Sequence, residues 1–496
     1  MLKRVFVAPD PGRARLRFAA RAVLGIGLAV MVCLLAGHSL AGAVTGGLAA
    51  LLALFTVTDP TVRGQAVTTA LLPAVGVPVL ATAAGLHDQP VARDLAFLAV
   101  VGAGVYARRW GPRGHSLGVF AFMTFFVAQF LHATVAQLPE LYAALLLSVL
   151  SAAAVRFGVW CYERRLPPAA VPVPPAGAGL ARVTTRQAVQ ATAGAGFALV
   201  AGQLVSGQRW YWAVGATWWI FVNTASRGET LVRGFRRVLG TLIGIGLGFL
   251  VAVPVHGAAV PTAVLVAVAV FGIFYTAAVS YTWMMLWVTL LAELLYGLLG
   301  VLSPGLLALR LTETGVGALG AALAVLFVLP VTTHATTDAW IQRALRCVHA
   351  CTGEAAARLA GSATADPAPR VAELEQLLGR VRLSVAPLVH PLNPMPVRKR
   401  RARRVLALLD DCAREIRGLV AIAADPVASH DARLAAACWR VESAVEALTA
   451  GGAQPRRRLA EAPDEPALAH LHGLERALAD LAEPLRTPSG SRLVGA

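Results

Sequence analysis

The first 330 residues form one apolar stretch after another, each long enough to cross a bilayer at roughly 20 residues. Charged residues are rare there. Residues 1–330 contain 22 Lys or Arg and 9 Asp or Glu, whereas residues 331–496 contain 22 and 18. The whole chain is 14% charged, against about 25% for an average soluble domain. The sequence therefore predicts an all-α membrane protein with a C-terminal domain of soluble character.

The apolar stretches predict twelve membrane-spanning helices in two parallel-repeat modules of six. The modules cover residues 19–160 and 186–330, and a cytoplasmic linker, residues 161–185, joins them. A basic cytoplasmic N-terminus, residues 1–18, precedes the modules, and a cytoplasmic α-helical bundle, residues 331–496, follows. The twelve helices are centred near residues 28, 48, 74, 100, 125, 150, 196, 219, 247, 269, 292 and 321.

The division between the tenth and eleventh helices rests on little sequence signal. Only Ser280, Tyr281 and Thr282 interrupt the apolar run at that point. If they do not form a turn, the count is eleven and the C-terminal domain changes side. The linker has a clearer signal, because Pro167–Pro175 reads PPAAVPVPP, a composition that forms a semi-rigid spacer rather than a helix.

The positions of the basic residues predict the orientation, because cytoplasmic loops collect Lys and Arg. With the N-terminus inside, 19 of the 22 basic residues of the membrane part lie on the inner side, and only Arg93, Arg209 and Arg310 lie on the outer side. Both termini are therefore predicted to be cytoplasmic, in a multi-pass protein of the cytoplasmic membrane. The net charge of +17 follows from this topology and does not indicate nucleic-acid binding.

The two modules match each other at an offset of 170 residues. Asp59 corresponds to Glu229, Arg63 to Arg233, and Gly76 to Gly246. Because each module has an even number of helices, both copies point the same way, as in transporters whose halves are related by an axis along the membrane normal. A pathway between the modules is the natural expectation.

The ninth predicted helix begins with the densest group of charges in the membrane part, SRGETLVRGFRR from Ser226. Ser226 and Glu229 have the spacing of a capping box. Glu229, Arg233 and Arg237 follow one another every four residues, so an acid and arginine ladder is predicted on one helix face. Asp59 is expected to pair with Arg63 in the same way in the first module.

Two interpretations of the arginines remain open. They anchor the helix according to the inside-positive rule, or they attract organic anions, because a guanidinium group binds a carboxylate in a two-pronged manner. The candidate anion-binding residues are Arg63, Arg233, Arg236 and Arg237. Beyond them Gly240, Gly244 and Gly248 form a stripe of small residues that allows close helix packing.

The stretch from Trp212 through Thr224 to Arg233, Arg237, Gly240, Thr241 and Gly244 resembles the signature of the fusaric acid resistance protein-like (FUSC) family, within the aromatic acid exporter superfamily. The resemblance implies an inner-membrane efflux protein for organic, often aromatic, carboxylic acids or related toxic amphipathic anions, and it adds Thr241 to the candidate substrate site. The first module lacks the full motif, since the corresponding positions hold Val67, Ala70, Leu71 and Ala74.

Glu293 is the carboxylate placed deepest in an apolar segment, WVTLLAELLYGLL. Ionisable residues inside membrane helices are costly and are functional candidates by default. Glu293 is therefore a candidate proton-coupling site. The alternative is a structural carboxylate that is hydrogen-bonded to Tyr281, Thr289 or a neighbouring helix.

The C-terminal domain contains a run of six basic residues in seven, Arg398, Lys399, Arg400, Arg401, Arg403 and Arg404. Each contributes about 1 kcal/mol of attraction near an anionic leaflet, although a solvated helix face has the same pattern. Homo-oligomerisation is left open by the sequence.

Catalysis is not predicted. The chain has two lysines, Lys3 and Lys399, and neither stands in a phosphate-binding Walker loop. Cys347, His349 and Cys351 do not form one face of a helix, so no metal or other cofactor is expected. The leading expectation is a proton-coupled exporter of organic anions, with a passive anion channel and a non-transporting scaffold of cell-envelope assembly as alternatives.

Overall fold

The computed structural model describes residues 13–163, 179–222, 224, 226–255, 258–330, 333–362, 364–389, 396–423, 432–450 and 466–485. Regular structure in these ranges is helical. The predicted linker Pro167–Pro175 and residues 1–12 of the basic N-terminus lie outside the described residues. The chain divides into two compact units. The first is made of the described parts of Met1–Ala169, Val173–Thr224 and Thr230–Pro330, and the second of the described parts of Val331–Ala496 together with Ala225–Glu229, the residues around the start of α9.

The first unit contains twelve described α-helices. In chain order they are α1 (Ala14–Leu35), α2 (Leu40–Thr56), α3 (Val62–Gly85), α4 (Pro90–Tyr106), α5 (Gly111–Phe130), α6 (Leu138–Glu163), α7 (Val183–Val205), α8 (Tyr211–Phe221), α9 (Arg227–Val255), α10 (Ala259–Ala277), α11 (Tyr281–Leu298) and α12 (Pro304–Phe327). Each predicted centre lies in one of these helices. The helix breaks between Ala277 and Tyr281, so α10 and α11 are separate.

Nine helical segments in the described ranges are long and apolar enough to cross a bilayer, and one of them, Pro90–Phe130, comprises α4 and α5. Three helices at predicted spans are shorter than the roughly 20 residues of a typical span: α2 and α4 have 17 residues each and α8 has 11. The chain is therefore a multi-pass helical membrane protein.

Hydroxyl side chains mark where several helices begin. Ser39, Thr61 and Ser303 accept hydrogen bonds from backbone amides in the first turns of α2, α3 and α12. The predicted N-cap at Ser226 also forms, because its Oγ accepts from the amide of Glu229 at 3.4 Å. Such caps satisfy amides that have no partner within the helix.

Packing in the first half recurs in the second. Helices α1, α2 and α6 pack on one another. The helices that come six helices later in the chain, α7, α8 and α12, do the same. The pair α4 and α5 likewise corresponds to α10 and α11. The halves meet reciprocally, through α1 against α10 and α4 against α7, and a single apolar core runs through both.

Buried arginines complete helix ends inside this unit. Arg156 on α6 donates to the carbonyl oxygens of Ala53, Leu54 and Val57 at the end of α2, at distances of 2.7–3.2 Å. Arg108, from the segment after α4, donates to Phe221 O at the end of α8 at 3.1 Å. These carbonyl groups have no partner within their own helix, so both arginines support the fold.

The second unit is a bundle of five described helices. They are α13 (Thr333–Leu359), α14 (Ala368–Val389), α15 (Pro396–Ala423), α16 (Ala432–Ala450) and α17 (Pro466–Leu485). Its core includes the apolar positions that follow helical periodicity on α14 and α15, such as Leu378 and Leu409. The thiol of Cys412 lies in this core, and burial raises its pKa to about 12.

The basic run lies at the start of α15. Arg401 Nε donates to Pro484 O of α17 at 2.6 Å, and Arg404 lies 3.2 Å from Glu483 Oε2. Arg400 and Arg403 are exposed, and the side chain of Arg398 lies outside the described residues. Two of the described basic side chains of the run therefore contact a neighbouring helix.

A candidate anion site in a cavity between the two halves

An apolar cavity opens between α2 and α5 of the first half and α8–α12 of the second. The space free of protein atoms in and in front of it is about 1100 Å³, which includes open space at its mouth. Its walls are Leu48, Leu51, Leu52, Phe55, Met123, Phe126, Val127, Phe130, Trp212, Gly215, Trp219, Ile273, Met284, Met285, Val288, Leu291, Ala292 and Leu295, together with Arg237 and Arg310. Two guanidinium groups thus face a space otherwise lined by aliphatic and aromatic side chains.

Arg237 reaches the cavity from α9. Its side chain is 6% exposed, and its Nη1 donates to Tyr281 Oη at 3.2 Å and to Met285 Sδ at 3.4 Å. Its Nε has no hydrogen-bond partner among the described residues. This N–H is buried as well as unbonded, so the cost of removing it from water is not offset by a described partner.

Arg233 lies one helical turn before Arg237 and joins the same cluster. Its Nε donates to Trp219 O at 3.2 Å, and its guanidinium lies 4.0 Å from the centre of the Tyr281 ring. Tyr281 in turn donates to Trp219 O at 3.5 Å. The first turn of α11 and the last turns of α8 therefore hold both arginines of α9 in place.

The glycine stripe on α9 faces α11. A Cβ atom at Gly240 would lie 2.5 Å from Thr282 O, and one at Gly244 would lie 2.6 Å from Thr289 Cβ. A Cβ atom at Gly248 would overlap the carboxylate of Glu293. The contacts advance together along both helices, so α9 and α11 run parallel with their backbones close.

Glu293 is fully buried, and neither of its carboxylate oxygens has a hydrogen-bond partner among the described residues. The hydrogen bond to Tyr281 that the sequence offered as an alternative does not form, because twelve residues of helix separate the two by roughly 18 Å. Thr289 does not bond to it either, since the Thr289 hydroxyl likewise has no partner within the described ranges. The Glu293 carboxylate can therefore still accept a proton, or a hydrogen bond from an N–H group.

Sequence reasoning missed Arg310 as a cavity residue. The distribution of basic residues predicted that Arg310 lies in an outer segment. In the structure α12 begins at Pro304, so Arg310 lies within this helix. Arg310 is 5% exposed, and its guanidinium stacks 4.1 Å from the centre of the Trp212 ring. Its Nε and Nη1 have no hydrogen-bond partner among the described residues. The signal was present in LLALRLTETG, where two charged residues three apart interrupt an apolar helix.

Glu313 is the second of these charged residues, and it was also missed. It is fully buried, and its carboxylate lies against Gly202 of α7. Neither of its carboxylate oxygens has a hydrogen-bond partner among the described residues, so Glu313, like Glu293, is a buried carboxylate without a described partner.

The remaining predicted site residues do not line the cavity. Arg236 is half-buried, Thr241 is buried, and Arg63 is exposed. The pairing of Asp59 with Arg63 is wrong. Asp59 precedes α3, so the two do not share a helix face, and Asp59 lies 4.0 Å from Arg113 instead. Pairing of Glu229 with Arg233 stays a prediction.

Comparison with known proteins gives a family match within the second half, which contains both arginines of the cavity. Residues 197–325 match the family described as fusaric acid resistance protein-like, which confirms the resemblance read from the motif of α9. The matched segment includes Arg237, Glu293 and Arg310. No curated protein and no solved structure gives a significant match.

Proposed function

We propose that this membrane protein, whose residues 197–325 are fusaric acid resistance protein-like, exports organic anions, in particular aromatic carboxylates or related toxic amphipathic anions, across the cytoplasmic membrane. The observation that carries the proposal is the cavity. Its aromatic and aliphatic walls suit a ring, and the free N–H groups of Arg237 and Arg310 suit a carboxylate.

The interaction energies suit a transporter. Burying one aromatic ring contributes about 1.5–3 kcal/mol, and a hydrogen bond to a charged group contributes about 1.5–3 kcal/mol. Association also costs translational and rotational freedom, so the net binding free energy is smaller than the sum of these contacts. Weak binding of this kind allows the anion to be released after transport.

The two halves act as parallel six-helix repeats in this proposal. The recurrence of helix packing six helices later supports it, as do the reciprocal contacts of α1 with α10 and α4 with α7. The inside-positive distribution of arginine supports an orientation with both termini in the cytoplasm. Arg233 and Arg237 then lie towards the cytoplasmic end of α9 and receive the anion there.

Glu293 is the proposed proton-coupling residue. It is fully buried against Gly248 between α9 and α11, has no described hydrogen-bond partner, and is not among the residues that line the cavity. Loading and unloading of a proton on this carboxylate changes the electrostatic environment of Arg310, which lines the cavity. Coupling between the proton and the anion follows from that change.

The C-terminal bundle contributes a lipid contact in this proposal. Arg400 and Arg403 are exposed at the start of α15 and are available to anionic headgroups, each with about 1 kcal/mol of attraction. Arg401 and Arg404 contribute less, because they already contact α17.

Uptake of radiolabelled benzoate into everted membrane vesicles tests the function. An exporter accumulates benzoate in everted vesicles, and accumulation that requires a pH gradient supports coupling. Flux that carries current without a pH gradient would identify a passive anion channel instead. Absence of flux with benzoate and with a panel of other carboxylates would contradict the proposal.

A further inference from the structure

A further arginine lies close to Arg310 but outside the cavity. Arg310 lines the cavity, and its guanidinium lies 4.1 Å from the centre of the Trp212 ring and 6.0 Å from the centre of the Tyr296 ring. The guanidinium of Arg209, in the segment before α8, lies 5.6 Å from the centre of the same Tyr296 ring. Arg209 is half-buried and does not line the cavity. One tyrosine ring therefore contacts a guanidinium inside the cavity and another outside it.

Tyr296 lies directly behind the cavity wall. It is 1% exposed, and its ring centre lies 5.7 Å from that of Phe130 and 6.3 Å from that of Trp212. Phe130 and Trp212 both line the cavity, whereas Tyr296 does not. The packed rings of these three residues therefore close the cavity on the side of Arg209.

Hydrogen-bond donors outnumber acceptors in this cluster. The indole Nε1 of Trp212, two guanidinium nitrogen atoms of Arg310 and the hydroxyl groups of Tyr211 and Tyr296 are buried without a described partner. The Tyr211 ring centre lies 5.9 Å from that of Trp212. Indole and guanidinium groups only donate hydrogen bonds, whereas a carboxylate only accepts them. A carboxylate is therefore the chemical complement of the cluster.

The carboxylates of neighbouring helices do not supply this complement. Asp94 of α4 is already held by an arginine at 3.0 Å and by a glutamine amide at 2.6 Å. Glu293 and Glu313 accept no hydrogen bond from a described residue, so neither is hydrogen-bonded to Arg209 or Arg310. The donor cluster therefore lacks a hydrogen-bonded carboxylate from these helices.

We propose that Arg209, Tyr296 and Trp212 form a second carboxylate site on the exit side of Arg310. The exported anion passes from the guanidinium of Arg310 to that of Arg209 around the Tyr296 ring. This step rests on the function proposed above and adds a second binding site to it. Arg209 lies in a segment that the distribution of basic residues predicts to be outer, so the transfer leads away from the cytoplasm.

Electrostatics gives the physical reason for two sites. The two guanidinium groups repel each other, and a carboxylate beside both of them offsets that repulsion. An anion that moves between sites of modest affinity is also released more readily than one held at a single strong site. Because Tyr296 is packed against Phe130 and Trp212, its ring must move before the anion reaches Arg209.

Arg209→Gln in the full chain tests the second site. Tryptophan fluorescence in lipid nanodiscs, with Trp212 as a cavity probe, should give an unchanged Kd for benzoate. Benzoate flux into everted vesicles should fall about tenfold, as for loss of a hydrogen bond to a charged group. Arg109→Gln is the matched control, because Arg109 also stacks on an aromatic ring, at 4.7 Å from Tyr106, and does not line the cavity. Equal flux in the two variants would overturn the inference.

Cysteine labelling tests the barrier at Tyr296 without measuring transport. A membrane-impermeant thiol reagent applied to the exterior should leave Arg310→Cys unmodified while Tyr296 is present, with the parent chain as background. Adding Tyr296→Ala should make position 310 reactive, whereas Tyr296→Phe keeps the ring and should leave it unreactive. Exterior modification of Arg310→Cys with Tyr296 intact, or none in folded Tyr296→Ala protein, would overturn the inference.

Failure of the proposed function gives a different result. In that case the intact protein shows no benzoate flux, whatever the labelling of position 310. Normal flux in the intact protein together with normal flux in Arg209→Gln would contradict the second site alone.

Discussion

The two halves of the membrane unit contribute side chains of different chemistry to one cavity. The first half contributes eight lining residues, all of them apolar or aromatic, whereas the second half contributes both guanidinium groups. At the position that corresponds to Arg237 the first half has Val67, which is 40% exposed and lies outside the cavity. Similar helix packing therefore coexists with different chemistry: the first half supplies an apolar wall, and the second half supplies both guanidinium groups.

Buried arginines show the same division. In the first half Nη1 and Nη2 of Arg156 donate to three carbonyl oxygens at the end of α2. In the second half Arg310 is equally buried but leaves two nitrogen atoms without a described partner. Burial alone does not distinguish these two arginines, whereas the donor groups that lack a described partner do.

The largest expected effect is the loss of transport in Arg237→Gln. We expect benzoate flux into everted vesicles to fall by about 30-fold or more, as for removal of a strong hydrogen bond to a charged group. The matched variant Arg63→Gln alters an exposed arginine near the start of α3 and should keep normal flux. Equal losses of benzoate flux in the two variants would contradict the proposal that the second half alone supplies the anion-binding arginines.

Gly248→Ala should reduce flux by about tenfold and destabilise the protein by about 1–3 kcal/mol, as overpacking does. The added Cβ overlaps the Glu293 carboxylate, so α9 and α11 must separate or Glu293 must move. Gly246→Ala is the control on the same helix, because a Cβ there meets no atom within 4 Å. Thermal unfolding in detergent and vesicle flux measure both effects, and a harmless Gly248→Ala would show that the helices are not tightly packed.

Arg156→Gln should lower stability and spare recognition. Removing a guanidinium that serves three carbonyl groups costs about 2–4 kcal/mol of unfolding free energy, since buried acceptors are left unsatisfied. Benzoate affinity in the protein that remains folded should match that of the unaltered chain. Fluorescence titration of folded material checks this, and a selective loss of affinity would assign a binding role to the first half.

The smallest expected effect concerns pH. Burial, with His87, Arg209 and Arg93 nearby, lowers the pKa of His132 below its ordinary value of 6.5, so the ring is neutral at pH 7. Because the folded state disfavours the charged ring, stability contributed by His132 falls only as the pH drops below 6.5. His132→Gln should leave the pH profile of flux between pH 7 and 8 unchanged, whereas Glu293→Gln should remove the pH dependence. If His132→Gln instead changed the pH profile of flux, the titrating residue would lie in the first half.

Much of the helical arrangement could be predicted because apolar length and the inside-positive rule are local signals. All twelve predicted centres lie in helices, and even the weak break at Ser280 is real. The prediction of full-length membrane spans was less successful at α2 and α8, which are shorter than a typical membrane-spanning helix. Their lengths depend on packing within the unit, and hydropathy does not report packing.

The site was predictable only where sequence spacing on one helix was enough. Arg233, Arg237 and the glycine stripe share a face of α9, and that face meets α11. Arg310 was missed because its role depends on which helix side faces the cavity. The equivalence of Gly76 with Gly246 also fails in detail, since a Cβ at Gly76 would lie 2.6 Å from Phe120 whereas Gly246 faces open space.

Substituted-cysteine labelling of position 237 tests most directly whether a cationic cavity between the halves receives anions. The parent chain serves as background, and Val67→Cys is the counterpart in the first half. A charged, membrane-impermeant thiol reagent applied to the cytoplasmic face should modify Arg237→Cys, and benzoate should slow that reaction, while Val67→Cys stays unmodified. Modification of position 237 only from the exterior, or at a rate that benzoate does not change, would contradict the cavity as the anion site.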